Sequence, residues 1–257
     1  MNRINNLFAK KGNKRILSIY YTAGYPTLES TLDIAETLED AGADFLEIGF
    51  PYSDPVADGP VIQHSSEAAL RSGMSLHILF EQLGDLRQRV RIPVLLMGYV
   101  NPVLQYGVEN FCKSCKAAGV DGVIVPDLPM SEYEEHYRSV FEEHGLSNIF
   151  LVTPQTSEER IRKIDELSTG FIYLLSSSAT TGKNLSVSGN TEAYFSRIRA
   201  MKLKNPVVIG FGISDHNTFI HATDHADGAI VGSAFVKLLG EKDYSGKIPP
   251  FIHQLKG

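Results

Sequence analysis

The sequence predicts a (β/α)8 barrel, the TIM-barrel fold, on the strength of two observations. Eight short runs rich in β-branched and aromatic residues recur along the 257 residues, and segments with the periodicity of amphipathic helices separate them. Continuous apolar strands that alternate with such helices are typical of a parallel sheet covered on both faces. Eight units in about 250 residues match a barrel, whereas a doubly wound sheet usually has fewer strands and an early glycine-rich dinucleotide turn.

The elements follow one another without a linker or low-complexity tract, so a single domain over residues 1–257 is the simplest organisation. A short helix is predicted over residues 1–11, and several later helices, such as residues 27–42, open with Ser or Thr and end in Gly. The C-terminal segment 248–257 looks short for a full terminal helix. The predicted strands are residues 16–24, 45–50, 93–99, 122–127, 148–153, 171–176, 206–211 and 228–233.

Charge and hydropathy exclude several classes of function. The net charge is -6, from 24 basic and 30 acidic residues, so no basic field favours nucleic acid or an anionic membrane. Residues 1–14 contain no apolar run long enough for a signal peptide, and no apolar run elsewhere approaches the roughly 20 residues that span a bilayer. We therefore expect a cytoplasmic protein whose partners are small molecules or another protein.

Glu47 stands in the otherwise apolar strand FLEIGF. Side chains alternate along a strand, so Phe45, Glu47 and Gly49 share one face, and the apolar residues between them suit the helix-facing side. Glu47 then points into the barrel near the C-terminal end of its strand, where active sites of this fold lie. None of the eight predicted strands contains Lys, Arg or His to pair with it. Because an unpaired buried carboxylate is unfavourable, Glu47 is a candidate catalytic residue.

The absence of Lys, Arg and His from the predicted strands also excludes some classes of catalytic mechanism. Schiff-base catalysis needs an interior lysine, and metal catalysis needs clustered ligands at the strand ends, where only His64, in the loop after the second strand, is a candidate. We therefore expect no metal and no cofactor in this chain. What remains is acid-base catalysis by carboxylates, helped by tyrosines such as Tyr20, Tyr99 and Tyr173.

Asp54 and Asp58 lie in the loop PYSDPVADGP, which its prolines keep non-helical. Either aspartate can simply cap a turn, and this reading is favoured for Asp54, which directly precedes a proline. Asp58 lies deeper in the loop and can reach over the mouth of a pocket. A carboxylate on the barrel wall and one on a loop differ in solvation, so their pKa values can be pushed apart, as an acid and base pair requires.

Two glycine motifs and one long loop predict a phosphate site with a lid. GFGIS follows the seventh strand and VGSAF follows the eighth, the two positions at which barrels commonly bind phosphate. The alternative is that Gly212 and Gly232 merely ease turns. The polar segment 176–190 after the sixth strand is long for a compact domain, and it is interpreted as a closing lid.

Together these motifs resemble the tryptophan synthase alpha subunit family. The most specific match is LEIGFPYSDPVADGPVIQ, supported in the same order along the whole chain by YYTAGYP before it and VPDLP, YLLS, GFGIS and VGSA after it. The resemblance implies retro-aldol cleavage of indole-3-glycerol phosphate to indole and glyceraldehyde 3-phosphate, the last step of L-tryptophan biosynthesis. It also implies an alpha2-beta2 complex, in which the partner beta subunit carries pyridoxal phosphate and joins indole to serine.

The resemblance assigns roles to individual residues. Glu47 corresponds to the catalytic glutamate that protonates indole C3, and Asp58 to the aspartate that stabilises positive charge on the indole nitrogen. Tyr20 and Tyr173 correspond to residues of the indole pocket. The remaining substrate-binding positions, in the lid and the phosphate loops, are Thr181, Gly182, Phe211, Gly212, Gly232 and Ser233.

The resemblance also places the partner surface on loop 51–60 and around Asn101 and Pro102. Three other functions stay open at this point. The chain can be a free-standing lyase that releases indole, or a mainly regulatory phosphate-binding subunit of the beta chain. A phosphosugar isomerase shares the phosphate loops but gains no support from the carboxylate loop.

Overall fold

Eight parallel strands close into a barrel, as the sequence predicts. In the computed structural model, residues 2–10, 12, 14–176, 189–210 and 212–257 are described. Each strand pairs with the next along the chain, and β8 pairs with β1 to close the sheet. The strands are β1 Ile16–Thr22, β2 Phe45–Gly49, β3 Val94–Met97, β4 Gly122–Ile124, β5 Ser147–Val152, β6 Ile172–Leu175, β7 Val207–Gly210 and β8 Gly228–Val231.

Helices surround the barrel and connect successive strands. In the described part of the chain, none of them is both long and apolar enough to cross a membrane. The first six are α1 Arg3–Ala9, α2 Thr31–Asp40, α3 Pro60–Arg71, α4 Leu76–Gln82, α5 Leu86–Arg89 and α6 Val100–Tyr106. The others are α7 Val108–Ala118, α8 Met130–Glu132, α9 Arg138–Glu143, α10 Glu158–Leu167, α11 Gly189–Ala200, α12 His216–His225, α13 Ser233–Leu239 and α14 Tyr244–Lys256. A 3-10 turn, Leu83–Asp85, precedes α5, and a π-helical turn, Tyr133–Tyr137, precedes α9.

The expectation that residues 248–257 are too short for a full terminal helix is wrong, because α14 begins at Tyr244 and is 13 residues long. It contains Pro249 and Pro250, which weaken a helix by removing backbone donors. Its buried residues Ile248, Ile252 and Leu255 belong to the hydrophobic cluster between the sheet and the helices. Burial of this apolar face offsets the unfavourable local preference of the two prolines.

Helix α1 closes the N-terminal end of the barrel. Phe8 packs against Phe45 and Phe171, which begin or directly precede strands, with ring centroids 6.4 and 5.9 Å away. Arg3 forms an ion pair of 3.0 Å with the buried Asp121, which anchors the helix. With this end filled by side chains, the C-terminal ends of the strands are left as the open face for a site.

Candidate active site

Glu47 points into the barrel, as the alternation predicts. Its neighbour Phe45 on the same face belongs to the interior hydrophobic cluster, whereas Leu46 and Ile48 belong to the outer one. The Glu47 side chain is 0% exposed. The Ser18 hydroxyl on β1 donates a long hydrogen bond of 3.5 Å to Oε1, and Oε2 has no partner among the described residues. Burial therefore raises the pKa of Glu47 to about 8, against the small lowering by Ser18.

Tyr20 lies beside Glu47 on the neighbouring strand, and the two residues are direct register partners. The ring bends over Gly49, where a Cβ atom would overlap the Tyr20 hydroxyl. Burial raises the pKa of Tyr20 far above its usual value, and the charges of Asp58 and Glu47 raise it further. The Tyr20 hydroxyl therefore stays protonated, and its aromatic ring lies next to the carboxyl group of Glu47.

Tyr173 approaches the same carboxyl group from β6. Its hydroxyl lies over Gly210, where a Cβ atom would again cause an overlap. Burial raises the pKa of Tyr173 well above its usual value. Electrostatic interactions with Glu47 and, next in size, with Tyr20 raise this pKa further. The structure thus brings Glu47, Tyr20 and Tyr173 together from three different strands of the barrel.

Asp58 is held over this face by Tyr99. The Tyr99 hydroxyl donates a hydrogen bond of 3.1 Å to Oδ2 of Asp58 and accepts one of 3.0 Å from the backbone N–H of Ala57. Burial raises the pKa of Asp58 to about 6, and the Tyr99 hydrogen bond opposes that rise. Asp54 differs, because its side chain is exposed and accepts a hydrogen bond from Ser53.

The two carboxyl groups therefore differ in protonation state. With pKa values of about 8 and about 6, Glu47 is mostly protonated and Asp58 mostly ionised at neutral pH. Glu47 is fully buried and Asp58 half-buried, and Asp58 accepts a hydrogen bond of 3.1 Å from the Tyr99 hydroxyl. Both carboxyl groups raise the pKa of Tyr20 and of Tyr173, so a proton donor and an anion lie near the same two tyrosines, which is the arrangement that acid-base chemistry needs.

Two glycines follow β7 and β8 at the same end of the barrel. Gly212 has a φ of 77°, a left-handed conformation that glycine adopts without strain. Gly232 lies against Tyr20, because a Cβ atom there would sit 3.6 Å from the Tyr20 ring. Ser233 begins α13, and the first N–H groups of a helix have no partner inside the helix and attract anions. Thr181, Gly182, Phe211 and most of the segment interpreted as a lid lie outside the described residues.

His64 lies on α3 and not in the loop before it, so its sequence-based placement is wrong. Its exposed ring faces Tyr25 at a centroid distance of 6.4 Å. The residues that surround the Glu47 carboxyl group include no histidine or cysteine in the part of the chain that is described.

Two features of the site were missed in the sequence. Ser18 faces Glu47, and its alternation with Tyr20 on one strand is a signal that could have identified it. Thr22, at the end of β1, and Ser65, on α3, share a buried hydroxyl contact of 2.6 Å. No local pattern marks this contact, because the two residues come from different elements. It ties the helix after the Asp58 loop to the barrel wall.

Comparisons with known proteins agree with this architecture. The family model described as "Tryptophan synthase alpha chain" matches residues 7–248. The tryptophan synthase alpha chain of Flavobacterium psychrophilum is 54% identical over 99% of this chain and 100% of the relative. That of Christiangramia forsetii is 52% identical over 100% of this chain and 99% of its own.

Solved structures extend the match to three dimensions. Tryptophan synthase from M. tuberculosis, in its aminoacrylate-bound form, superposes with a TM-score of 0.87 at 32% identity, covering 100% of this chain and 98% of that one. Tryptophan synthase subunit alpha from Legionella pneumophila gives a TM-score of 0.88 at 34% identity, covering 100% and 97%. The chain therefore belongs to the tryptophan synthase alpha chain family, a family of lyases.

Proposed function

We propose that the chain cleaves indole-3-glycerol phosphate to indole and glyceraldehyde 3-phosphate by a retro-aldol reaction, the last step of L-tryptophan biosynthesis. Family membership supports the reaction class. The observation that carries the residue roles is the placement of the fully buried Glu47 and the Tyr99-bound Asp58 near the same two tyrosines, with pKa values raised to about 8 and about 6. A carbon-carbon bond can break by acid-base steps alone if the indole ring is first made an electron sink.

Glu47 supplies the proton in this scheme. Its carboxyl group donates to indole C3, which places positive charge on the ring nitrogen. The resulting carboxylate then accepts the proton of the glycerol hydroxyl on the adjacent carbon. The electrons of that O–H bond form the aldehyde C=O, and those of the carbon-carbon bond return to the ring and restore indole. The Oε2 atom of Glu47 supports this role, because it has no partner among the described residues and can face a substrate.

Asp58 stabilises the charge that this protonation creates. Its ionised carboxylate accepts the N–H of the indole ring and lowers the energy of the cationic intermediate. The Tyr99 hydroxyl keeps Oδ2 in place, so little reorganisation is needed during the reaction. Tyr20 and Tyr173 line the ring-binding space between the two carboxyl groups.

The phosphate group is proposed to bind at Gly212, Gly232 and Ser233. The first N–H groups of α13, which have no partner within the helix, and the left-handed backbone at Gly212 support this placement. Thr181, Gly182 and Phe211 are proposed as further contacts on the resemblance alone.

The partner is proposed to be a tryptophan synthase beta subunit that holds pyridoxal phosphate, in an alpha2-beta2 complex in the cytoplasm. A 34% identical structure from Pyrococcus furiosus is a tryptophan synthase complex, with a TM-score of 0.85. Loop 51–60 and the start of α6 are the proposed surface. Val56 (81% exposed) and Leu104 (47% exposed) are the most exposed large apolar side chains described; Val56 lies in this loop, and Leu104 lies on α6 two residues after Pro102. Asn101 donates a hydrogen bond to Tyr52 at 3.3 Å, which joins the two segments.

The decisive experiment is indole release from indole-3-glycerol phosphate by the purified chain and by Glu47→Gln, with and without a beta subunit. We expect turnover by the wild type, stimulation by the partner and none by the variant. Turnover that the partner leaves unchanged would favour the free-standing lyase. Equal inactivity of both chains in the presence of the partner would favour the regulatory subunit. Turnover of a ribosyl-amine phosphate instead would favour the isomerase.

A further inference from the structure

Two histidines and a glutamate converge on the outside of the barrel, away from the carboxylate pocket. His221 and His225 are four residues apart on α12 and share one face of that helix. Glu192 lies in the first turn of α11, the helix next to it. Its Oε1 lies 3.3 Å from Nε2 of His221 and its Oε2 lies 3.5 Å from Nε2 of His225. The three ligand atoms all lie within 4.8 Å of one another.

These separations suit a metal ion. In a tetrahedral zinc site with bonds of about 2.0–2.1 Å, neighbouring ligand atoms lie about 3.3 Å apart. The distance of 3.3 Å from Oε1 of Glu192 to Nε2 of His221 agrees with that edge length, and Oε2 of the same carboxylate lies 3.5 Å from Nε2 of His225. Two histidines at i and i+4 on a helix with a carboxylate from another element form a known zinc-binding arrangement, and the fourth position is left to water.

A simple ion pair explains the cluster less well. Nε2 of His221 is buried and has no hydrogen-bond partner among the described residues, although the Glu192 carboxylate is only 3.3 Å away. An imidazole N–H that served an ion pair would point at the oxygen. A lone pair on the same nitrogen can instead point at a shared ion that lies between the three side chains.

The surroundings hold the ligands in place and leave their side chains partly exposed to solvent. The side chains of His221 and His225 are 25% and 21% exposed, and that of Glu192 is 40% exposed. Phe195 stacks on His225 at a centroid distance of 5.4 Å and restricts its ring. His225 is the last residue of α12, where the negative end of the helix dipole favours a cation.

We propose that Glu192, His221 and His225 bind a divalent transition-metal ion of the zinc type, which joins the start of α11 to the end of α12. The two imidazole ligands favour Zn²⁺ over Mg²⁺ or Ca²⁺, which prefer sites made of oxygen ligands alone. The role is structural, because the cluster lies outside the barrel and its ion pairs in the described part of the chain involve none of Glu47, Asp58, Tyr20 and Tyr173. The site does not depend on the proposed function.

The test uses the full chain without a histidine tag, stripped with EDTA. Zn²⁺ is titrated by calorimetry, Co²⁺ is added as a spectroscopic probe, and unfolding midpoints are measured with and without Zn²⁺. The variants are His221→Ala and the nearly isosteric Glu192→Gln. His253→Ala removes an exposed histidine from α14 and is the matched control.

We expect one Zn²⁺ per chain, a tetrahedral Co²⁺ absorption spectrum and a higher unfolding midpoint with Zn²⁺. His221→Ala and Glu192→Gln should each weaken binding by roughly tenfold or more and remove the rise in the midpoint, whereas His253→Ala should behave as the wild type. The absence of one-to-one binding at millimolar Zn²⁺ would overturn the proposal. Equal binding by the wild type and both cluster variants would also overturn it, because the ion would then lie elsewhere.

Discussion

The Tyr99 hydroxyl lies 3.1 Å from Oδ2 of Asp58, and the hydroxyl oxygen also accepts the Ala57 N–H at 3.0 Å. A residue that follows β3 thereby holds the loop that follows β2. The loop carboxylate has a defined position even though its backbone is irregular. This contact links the barrel wall to the chemistry proposed for Asp58.

Tyr99→Phe should make Asp58 a weaker acid. The hydrogen bond from Tyr99 lowers the pKa of Asp58, so its loss lets burial raise that pKa further above about 6. A hydrogen bond to a charged group contributes about 1.5–3 kcal/mol, so the acidic limb of the kcat/KM profile should move up by about one to two pH units. Tyr106→Phe is the control, since Tyr106 pairs with Ser114 instead. An unchanged acidic limb in Tyr99→Phe would contradict the assignment of Asp58.

The wild type should show a bell-shaped dependence of kcat/KM on pH. Activity should fall below about pH 6, where Asp58 becomes protonated, and above about pH 8, where Glu47 loses its proton. Indole formation at low substrate concentration, measured from pH 5 to pH 9, tests both limbs. A profile that keeps rising above pH 8 would show that Glu47 does not act as the acid.

Glu47→Gln should change how stability depends on pH. The pKa of Glu47 rises from 4.5 to about 8 on folding, so between these values the folded chain binds more protons than the unfolded one. The stabilisation from this group is therefore complete below about pH 4.5 and is lost as the pH rises through about 8. Relative to the Glu47→Gln variant, the wild type should lose on the order of 4 kcal/mol of unfolding free energy between pH 5 and pH 8.

Urea unfolding of both chains at pH 5 and pH 8 measures this difference. Glu159→Gln, which alters an exposed glutamate on α10, is the control and should follow the wild type. Parallel pH dependences for the wild type and Glu47→Gln would mean that water or another group solvates the carboxyl group in the folded state.

Gly49→Ala should displace Tyr20 from the pocket wall. The added Cβ overlaps the Tyr20 hydroxyl, and Tyr20 is buried with little space to move. Overpacking of this kind destabilises a core by about 1–3 kcal/mol, and the KM for the indole substrate should rise. Gly84→Ala is the control, because nothing lies within 4 Å of its new Cβ. Thermal unfolding and steady-state kinetics separate the two effects, and unchanged kinetics in Gly49→Ala would remove Tyr20 from the binding site.

Much of the fold and part of the site follow from local patterns. The eight strands lie within the predicted runs to a few residues, because β-branched and aromatic content marks a buried parallel strand. The direction of Glu47 also follows from sequence, because side-chain alternation along a strand is a property of the backbone. The C-terminal helix α14 does not follow from the sequence. Its two prolines disfavour a helix, and the packing of Ile248, Ile252 and Leu255 against the rest of the chain outweighs that preference.

The amino-acid sequence alone predicts the barrel, the inward position of Glu47 and the family. These three features depend on periodicity and on the order of motifs, which are properties of residues that follow one another along the chain. Contacts between distant elements required the folded chain. Among the described residues, Ser18 alone hydrogen-bonds to the Glu47 carboxyl group, Tyr99 holds Asp58, and Glu192 meets His221 and His225. Each of these contacts joins different strands, loops or helices, and the pKa values follow from burial that closure of the barrel creates.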